Sequence, residues 1–229
     1  PVGAKVTGGT VTRKADRYYV SVTVRQEEIV AETPSGGGIG IDLGLAAFAV
    51  VSSGETFPGI NKTSAIKRSE MRLKRAQRAL SRKYEHRKRG EEPAAEYGSN
   101  IAKNALRVQK LQARLVRTRE AYRVSVVHVP AKTKPAYMTM EKLNVKGMMK
   151  NRHLSQAVAD QGFYDFKAKL LNVCKKMGTE LREVAAFYPS SKRCSACGHK
   201  KEKWSLSERT CTCDSCGQTI DRDLNAAIN

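Results

Sequence analysis

Four cysteines stand in two CxxC pairs, Cys194/Cys197 and Cys213/Cys216, and each pair runs straight into a glycine, Gly198 and Gly217. A tetrahedral zinc needs four soft or borderline donors on a small scaffold, and two CxxCG turns supply two thiolates each. The glycines let the backbone amides fold back toward sulfur. Disulfides are the competing use of six cysteines, but the spacing and the absence of a secretion signal favour a structural zinc in a reducing compartment. Two cysteines are left over. Cys211 precedes Cys213 by two residues, so a CxC pairing is an alternative, with the knuckle spacing favouring Cys213/Cys216. Cys174 falls on an apolar helix face and reads as a buried thiol.

Shortly after Cys216 comes Asp221-Arg222-Asp223-Leu224-Asn225-Ala226-Ala227. An acidic pair beside a metal knuckle asks for distant carboxylate partners, and the chain offers Asp42 and Glu141. Hard oxygen donors suit magnesium or manganese. Two such ions about 4 Å apart can activate water and steady the leaving oxygen of a phosphodiester. The candidate catalytic and magnesium-binding set is therefore Asp42, Glu141 and Asp223. Each has an ordinary competing reading: Asp42 as a strand-end Asp bonding loop amides, Glu141 as a surface residue, Asp221 as the N-cap of a helix that turns Asp223 toward the sheet. No Ser/His/Asp or Cys/His nucleophile system is apparent, and His153 reads as a phosphate contact or plain surface rather than a ligand.

The elements that must position these groups follow from periodicity. Residues 5–30 alternate as a β-hairpin with its turn near Ala15-Asp16, and Glu32–Gly38 reads as a flexible linker and a boundary. Ile39–Ser53 gives a buried strand, a tight turn and a second strand. Gly40, Asp42 and Gly44 share one face, and the glycines leave room for a phosphate backbone. A short third strand follows at 54–60. Residues 63–89 and 98–124 are two basic helices with a heptad seam, Ile66-Leu73-Leu80 against Ile101-Val108-Leu115-Tyr122. After an apolar piece and a Lys/Pro loop at 124–134 come a strand at 136–143 ending near Glu141, a basic loop at 144–160, a helix at 162–177 capped by Gly178, and a strand at 179–188. This order is α/β: an RNase H-like domain with a helical-hairpin insertion and a zinc-ribbon insertion, preceded by a β-hairpin remnant. The expected segments are 1–35 (hairpin), 36–192 (core with the basic helical hairpin at 63–124), 193–219 (zinc ribbon) and 220–229 (final helix).

Forty-two basic against 22 acidic residues leave the 229-residue chain at +20. A charge of that sign and size attracts polyanions, nucleic acid first and anionic membrane well behind. No apolar run approaches the roughly 18 residues of a membrane span. Between Lys62 and Arg123 stand 19 basic and 6 acidic residues, too few acids to make the helical hairpin merely a solvated face. It reads as a phosphate-tracking arm, with Arg72, Arg75, Arg78 and Arg82 as candidate contacts on its first helix and Lys146, Lys150 and Arg152 as further contacts in the basic loop. The expected setting is the cytoplasm of a prokaryotic cell, near the nucleoid, with the protein a monomer. Pro1 at the first position implies a start inside a longer protein or after processing.

The stretches GIDLGLAAFAVVSSGE, EKLNVKGMMKNRHLSQAVAD, FYPSSKRCSACGHK and CDSCGQTIDRDLNAAIN together resemble the OrfB/TnpB proteins of insertion-sequence transposons, RNA-guided DNA nucleases related to type V CRISPR effectors. The resemblance runs from about residue 39 to 229, with the preceding hairpin similar to the end of that family's wedge domain. It implies a RuvC-like nuclease whose three motifs carry Asp42, Glu141 and Asp223. The second Asp of DRDxNAA is the ligand, which selects Asp223 over Asp221. It further implies a guide RNA and a DNA target as partners, and a zinc ribbon that acts as a nucleic-acid loading lobe. Two family tryptophans are replaced, by Cys211 and by Gly162-Phe163, and the family's recognition region and most of its wedge domain have no counterpart here. The resulting expectation is a Mg-dependent DNA endonuclease, RNA-guided in its full-length form. The alternative is a truncated, non-cleaving nucleic-acid-binding regulator of the same family. A third reading, GIDLG as the phosphate loop of an actin-like ATPase, lacks a second phosphate motif.

Overall fold

The computed structural model describes residues 4–25, 34, 36–90, 94–185, 188–200 and 209–229; for 94–97 it describes the backbone alone. It divides into two compact units, Pro1–Ile29 with Asn61–Ala121, and Val30–Ile60 with Tyr122–Asn229. The basic arm is thus grouped with the N-terminal hairpin, a division unlike the four consecutive segments expected from the sequence.

In the first unit, β1 (Lys5–Lys14) and β2 (Arg17–Arg25) form an antiparallel hairpin. Its two-residue turn puts Ala15 at φ 57°, the left-handed conformation that tight hairpins demand. Asp16 pairs with Lys110 at 2.7 Å, which lowers the Asp16 carboxyl pKa. Helix α1 (Ser64–Lys88) starts on Thr63, whose side chain accepts from the Ile66 amide. Helix α2 spans Ala94–Ala131. Of the heptad seam in this unit, Ile66, Ile101 and Leu115 are buried, and Leu73, Leu80 and Val108 are half-buried. Arg119 ties the unit together by donating to Asn61 Oδ1 at 2.8 Å and Glu70 at 2.6 Å.

The second unit is a five-stranded mixed sheet in the order β5-β4-β3-β6-β7, from β3 (Gly36–Leu43), β4 (Ala47–Val51), β5 (Thr56–Pro58), β6 (Pro135–Glu141) and β7 (Glu180–Val184). β4 runs antiparallel to both its neighbours, and β6 and β7 run parallel to β3. Ile41, Leu43, Met138 and Met140 are buried in one core with Val126, Val127 and Ala131 of α2. Phe166, Leu170 and Cys174 of α5 (Phe163–Met177) join them there. Phe48 sits among three rings: Phe166 edge-on at 5.2 Å, Tyr122 at 5.8 Å and Phe163 stacked at 6.1 Å. Gly178 caps α5 at φ 69°, as expected.

Three sequence expectations change. The glycines at 36–38 belong to β3 rather than a linker: Gly36 donates to the Lys134 carbonyl at 3.3 Å, and a Cβ on Gly38 would stand 2.2 Å from the Tyr137 ring. They give the neighbouring chain room; most of the expected linker's remainder, at 32–35, lies outside the described residues. The apolar piece at 124–134 is the end of α2, because Val126 and Val127 are about 1% exposed and core burial carries the helix through Pro130 in its last turn. The basic loop folds into α3 (Val145–Met149), started by Asn144 accepting from Gly147 N, and α4 (Ser155–Gln161).

Candidate metal centres and nucleic-acid surface

Asp42 lies on β3 and Glu141 is the last residue of the adjacent β6. Asp223 is in the first turn of α6 (Arg222–Ile228), begun by Asp221, whose carboxylate accepts from the amides of Asp223 at 2.9 Å and Leu224 at 3.0 Å. Asp221 is thereby occupied as a cap. The three predicted carboxylates come together electrostatically: Asp42 is raised to about 7, first by burial and then by the charges of Asp223 and Glu141, with Arg222 opposing and Asp221 adding. Burial also raises Glu141. Arg209 faces Asp223 at 3.5 Å. Among the described residues, the four cysteines are the one set of three or more metal-type ligands drawn within 4.8 Å of each other. The carboxylates are set wider than that. Acids shared between two cations about 4 Å apart do not all need to meet at one point.

What holds α6 against the sheet is the absence of a side chain. A Cβ on Gly40 would stand 1.7 Å from the Ala227 carbonyl oxygen. The glycine beside Asp42 therefore admits the helix backbone that carries Asp223, not a phosphate backbone. Small residues at Ala226 and Ala227 fit this close approach.

Asn225 escaped the sequence reading. It is 1% exposed. Its Oδ1 accepts from Ser195 N at 2.9 Å, and its amide donates to the Arg193 carbonyl at 2.6 Å and the Ser190 carbonyl at 3.3 Å. Asn229 donates to the same two carbonyls at 2.7 and 2.9 Å. Asn225 of α6 and Asn229 at its C-cap thus grip the backbone entering the first cysteine turn. The only signal was an Asn two residues after Asp223, and polar residues in helices are usually solvated.

The cysteine turns are copies of one another. In the first, Cys194 N donates to the His199 carbonyl and Gly198 N to the Cys194 carbonyl; in the second, Cys213 N donates to Gln218 and Gly217 N to Cys213, all four at 2.9 Å. Gly198 and Gly217 adopt φ 73° and 71°, as the CxxCG pattern requires. The sulfurs stand 3.7 Å apart for Cys194/Cys216 and 3.5 Å for Cys197/Cys213. Tetrahedral Zn–S bonds of about 2.3 Å put sulfurs about 3.8 Å apart, so the set fits zinc. The amides of Cys216 and Ser215 pull Cys213 down to about 6, and those of Cys197 and Ala196 lower Cys194. Cys216, lowered by the Gln218 amide, is nonetheless pushed up to about 12 by its neighbouring thiols and burial. Cys211 stands on β8 (Thr210–Thr212), paired with β9 (Thr219–Asp221), and is buried outside this set.

Arg72, Arg75, Arg78 and Arg82 are exposed along α1, while Lys146, Lys150 and Arg152 are exposed on and after α3. The two groups belong to different units. His153 is exposed, with its amide bonded to Asn151.

The fold is shared with solved structures of a known class. One described as a CRISPR-Cas12f ternary complex matches 92% of this chain and 41% of its own, with a TM-score of 0.59 at 20% identity. A Cas12f1–sgRNA–target DNA complex matches 95% and 54%, with a TM-score of 0.54 at 18% identity. The chain belongs to the OrfB family of IS605-type elements, described as "Probable transposase", whose model matches residues 21–152; residues 163–229 match the Cas12f1-like TNB domain. A relative from Streptomyces pristinaespiralis, named "Putative RNA-guided DNA endonuclease", is 32% identical over 100% of this chain and 53% of its own length. InsQ of Escherichia coli (strain K12), with the same description, is 27% identical over 96% and 54%. The chain spans about half the length of these relatives.

Proposed function

We propose that this chain carries the hydrolytic part of a transposon-associated, RNA-guided DNA endonuclease, built on an RNase H-like (RuvC) sheet. The observation that carries the reading is the Asp42 carboxyl, raised to about 7 by burial and by its fellow acids Asp223 and Glu141. A buried acid whose ionisation is hindered by neighbouring acids is an arrangement that divalent cations relieve. The supporting frame is a mixed sheet of order β5-β4-β3-β6-β7 with acids on its central strand β3 and the adjacent β6, and a third on a helix laid against Gly40.

Asp42, Glu141 and Asp223 would hold magnesium or manganese, and the bound ions would supply a water-derived nucleophile and Lewis-acid stabilisation of the leaving oxygen. The chain's own part is positional. β3 and β6 fix Asp42 and Glu141 on neighbouring strands, and the Asp221 cap with the Asn225 grip fixes the turn bearing Asp223. Arg209 beside Asp223 and Arg222 near Asp42 counter the gathered negative charge. Cys194, Cys197, Cys213 and Cys216 would hold a structural zinc. The exposed arginines of α1 and the basic residues around α3 would bind the guide RNA or target DNA through phosphates.

The test is cleavage of labelled single- and double-stranded DNA with magnesium or manganese, by the parent chain beside Asp42→Ala and Asp223→Ala, with zinc measured in each sample. Cleavage that both variants lose supports the reading. Zinc-loaded protein that retains DNA but cuts nothing, even when a guide RNA and the full-length protein are supplied, would instead identify a non-cleaving nucleic-acid-binding regulator.

A further inference from the structure

Two openings share Met140 and Glu141 as lining residues. One, of about 200 Å³, runs past Gly40 and Asp42. The other, of about 440 Å³, has apolar walls from Leu43, Leu143, Val145 and Phe163, with Tyr164 and Lys146 also lining it. Its volume is in the roughly 300–1,000 Å³ range of small-ligand sites. Tyr164 is 80% exposed, whereas its neighbour Phe163 is 2% exposed. The sequence thus spends one aromatic on the core and leaves the next in solvent beside an apolar hollow. Glu183, on the same wall, is ion-paired with Lys167, so its charge is countered locally. Lys146 is exposed.

We infer that this hollow is a base-binding subsite for single-stranded DNA: it receives the nucleobase next to the phosphate held at Asp42 and Glu141. The inference rests on the nuclease reading above and deepens it. A nucleotide presents a flat aromatic face joined to an anion. Tyr164 offers a ring to stack on, the apolar walls accept the base, and Lys146 offers a cation to the phosphate. A lipid chain or an apolar peptide would use the walls but leave the lysine without a role. Glu141, common to the linings of both openings, sets the occupant's position along a strand. Because a base paired in a duplex is stacked between its neighbours, only an unpaired strand can enter. The hollow selects single-stranded substrate without reading its sequence.

The probe is a pentanucleotide of thymidines with a central 2-aminopurine, titrated with the full chain carrying Asp42→Ala so that nothing is cut. Binding quenches the probe when its base stacks. Tyr164→Phe is expected to keep the quench, and Tyr164→Ala to weaken binding about tenfold and lose it. Zinc content and circular dichroism stay unchanged, since the side chain is largely in solvent. Equal quenching and affinity with Tyr164→Ala, or no binding of the pentanucleotide, overturns the subsite. Quenching that depends on Tyr164 in a protein that cleaves no DNA even in full-length form with a guide RNA overturns the hydrolytic reading and leaves the subsite. Cleavage by the parent with Tyr164 irrelevant to binding does the reverse.

Discussion

Asp42 is where stability and activity pull in opposite directions. Its carboxyl titrates near 7 in the fold and near the ordinary carboxylate value of about 3.9 when unfolded. Between those values the folded chain retains a proton that the unfolded chain releases, so stability falls as pH rises from about 4 through about 7. Asp42→Asn removes that penalty. In metal-free protein the variant is expected to be more stable than the parent at pH 8, by up to about 4 kcal/mol, and to match it near pH 4; thermal melts at the two pH values check this. Metal binding needs the ionised acid, so with limiting magnesium the cleavage rate should climb about tenfold per pH unit below 7 and level off above it. A pH–rate profile without such a limb would detach Asp42 from the metal. Asn225 is the second case at this scale. Asn225→Ala leaves the Ser195 amide without its partner, while Asn229 still donates to the Arg193 carbonyl, at a cost of about 1–3 kcal/mol, readable by urea denaturation of the zinc-loaded protein. The acids and cysteines stood out in the sequence as candidates for chemistry because few other roles need those residue types at that spacing. Asn225 was not, because its importance lies in three backbone groups that no sequence pattern displays.

Among the elements, α6 is the sensitive one. Gly40→Ala sets a methyl 1.7 Å from the Ala227 carbonyl oxygen, whereas Gly37 has nothing within 4 Å. Gly40→Ala should displace the helix from β3 and abolish cleavage while the cysteines keep their zinc; Gly37→Ala should leave both intact. Zinc assay and cleavage on the same samples separate the outcomes, and an active Gly40→Ala protein would mean that the seat of α6 is unimportant. Strand and helix order could be read from sequence because period-2 and heptad patterns are strong from residue 39 through 177. The errors came where tertiary burial overrode local signals. Pro130 and the flanking lysines advertise a loop, yet Val126 and Val127 bury the helix end in the core. The run Gly36–Gly38 advertises flexibility, yet it belongs to a strand against which Tyr137 packs.

For the whole molecule, the surplus of positive charge between Lys62 and Arg123 predicts that nucleic-acid binding will depend on salt. Replacing Arg72, Arg75, Arg78 and Arg82 together by Ala should flatten the dependence of log affinity for duplex DNA on log salt by up to about 4, close to 0.9 for each phosphate no longer neutralised. Anisotropy titrations over a range of sodium chloride check this, and an unchanged slope would remove α1 from the nucleic-acid surface. Composition alone pointed to a polyanion partner; the division of basic residues between two compact units could not be read from it. The grip of Asn225 and Asn229 on Ser190 and Arg193 has a temporal side. The polypeptide leaves β7, builds both cysteine turns, and only then supplies the helix that rests on Gly40. During synthesis, a chain that has already made Asp42 and Glu141 holds two of its three acids and lacks the third. On the proposed nuclease reading such a nascent chain is inert, and competence to cut would arise only once α6 has left the ribosome and closed onto the sheet.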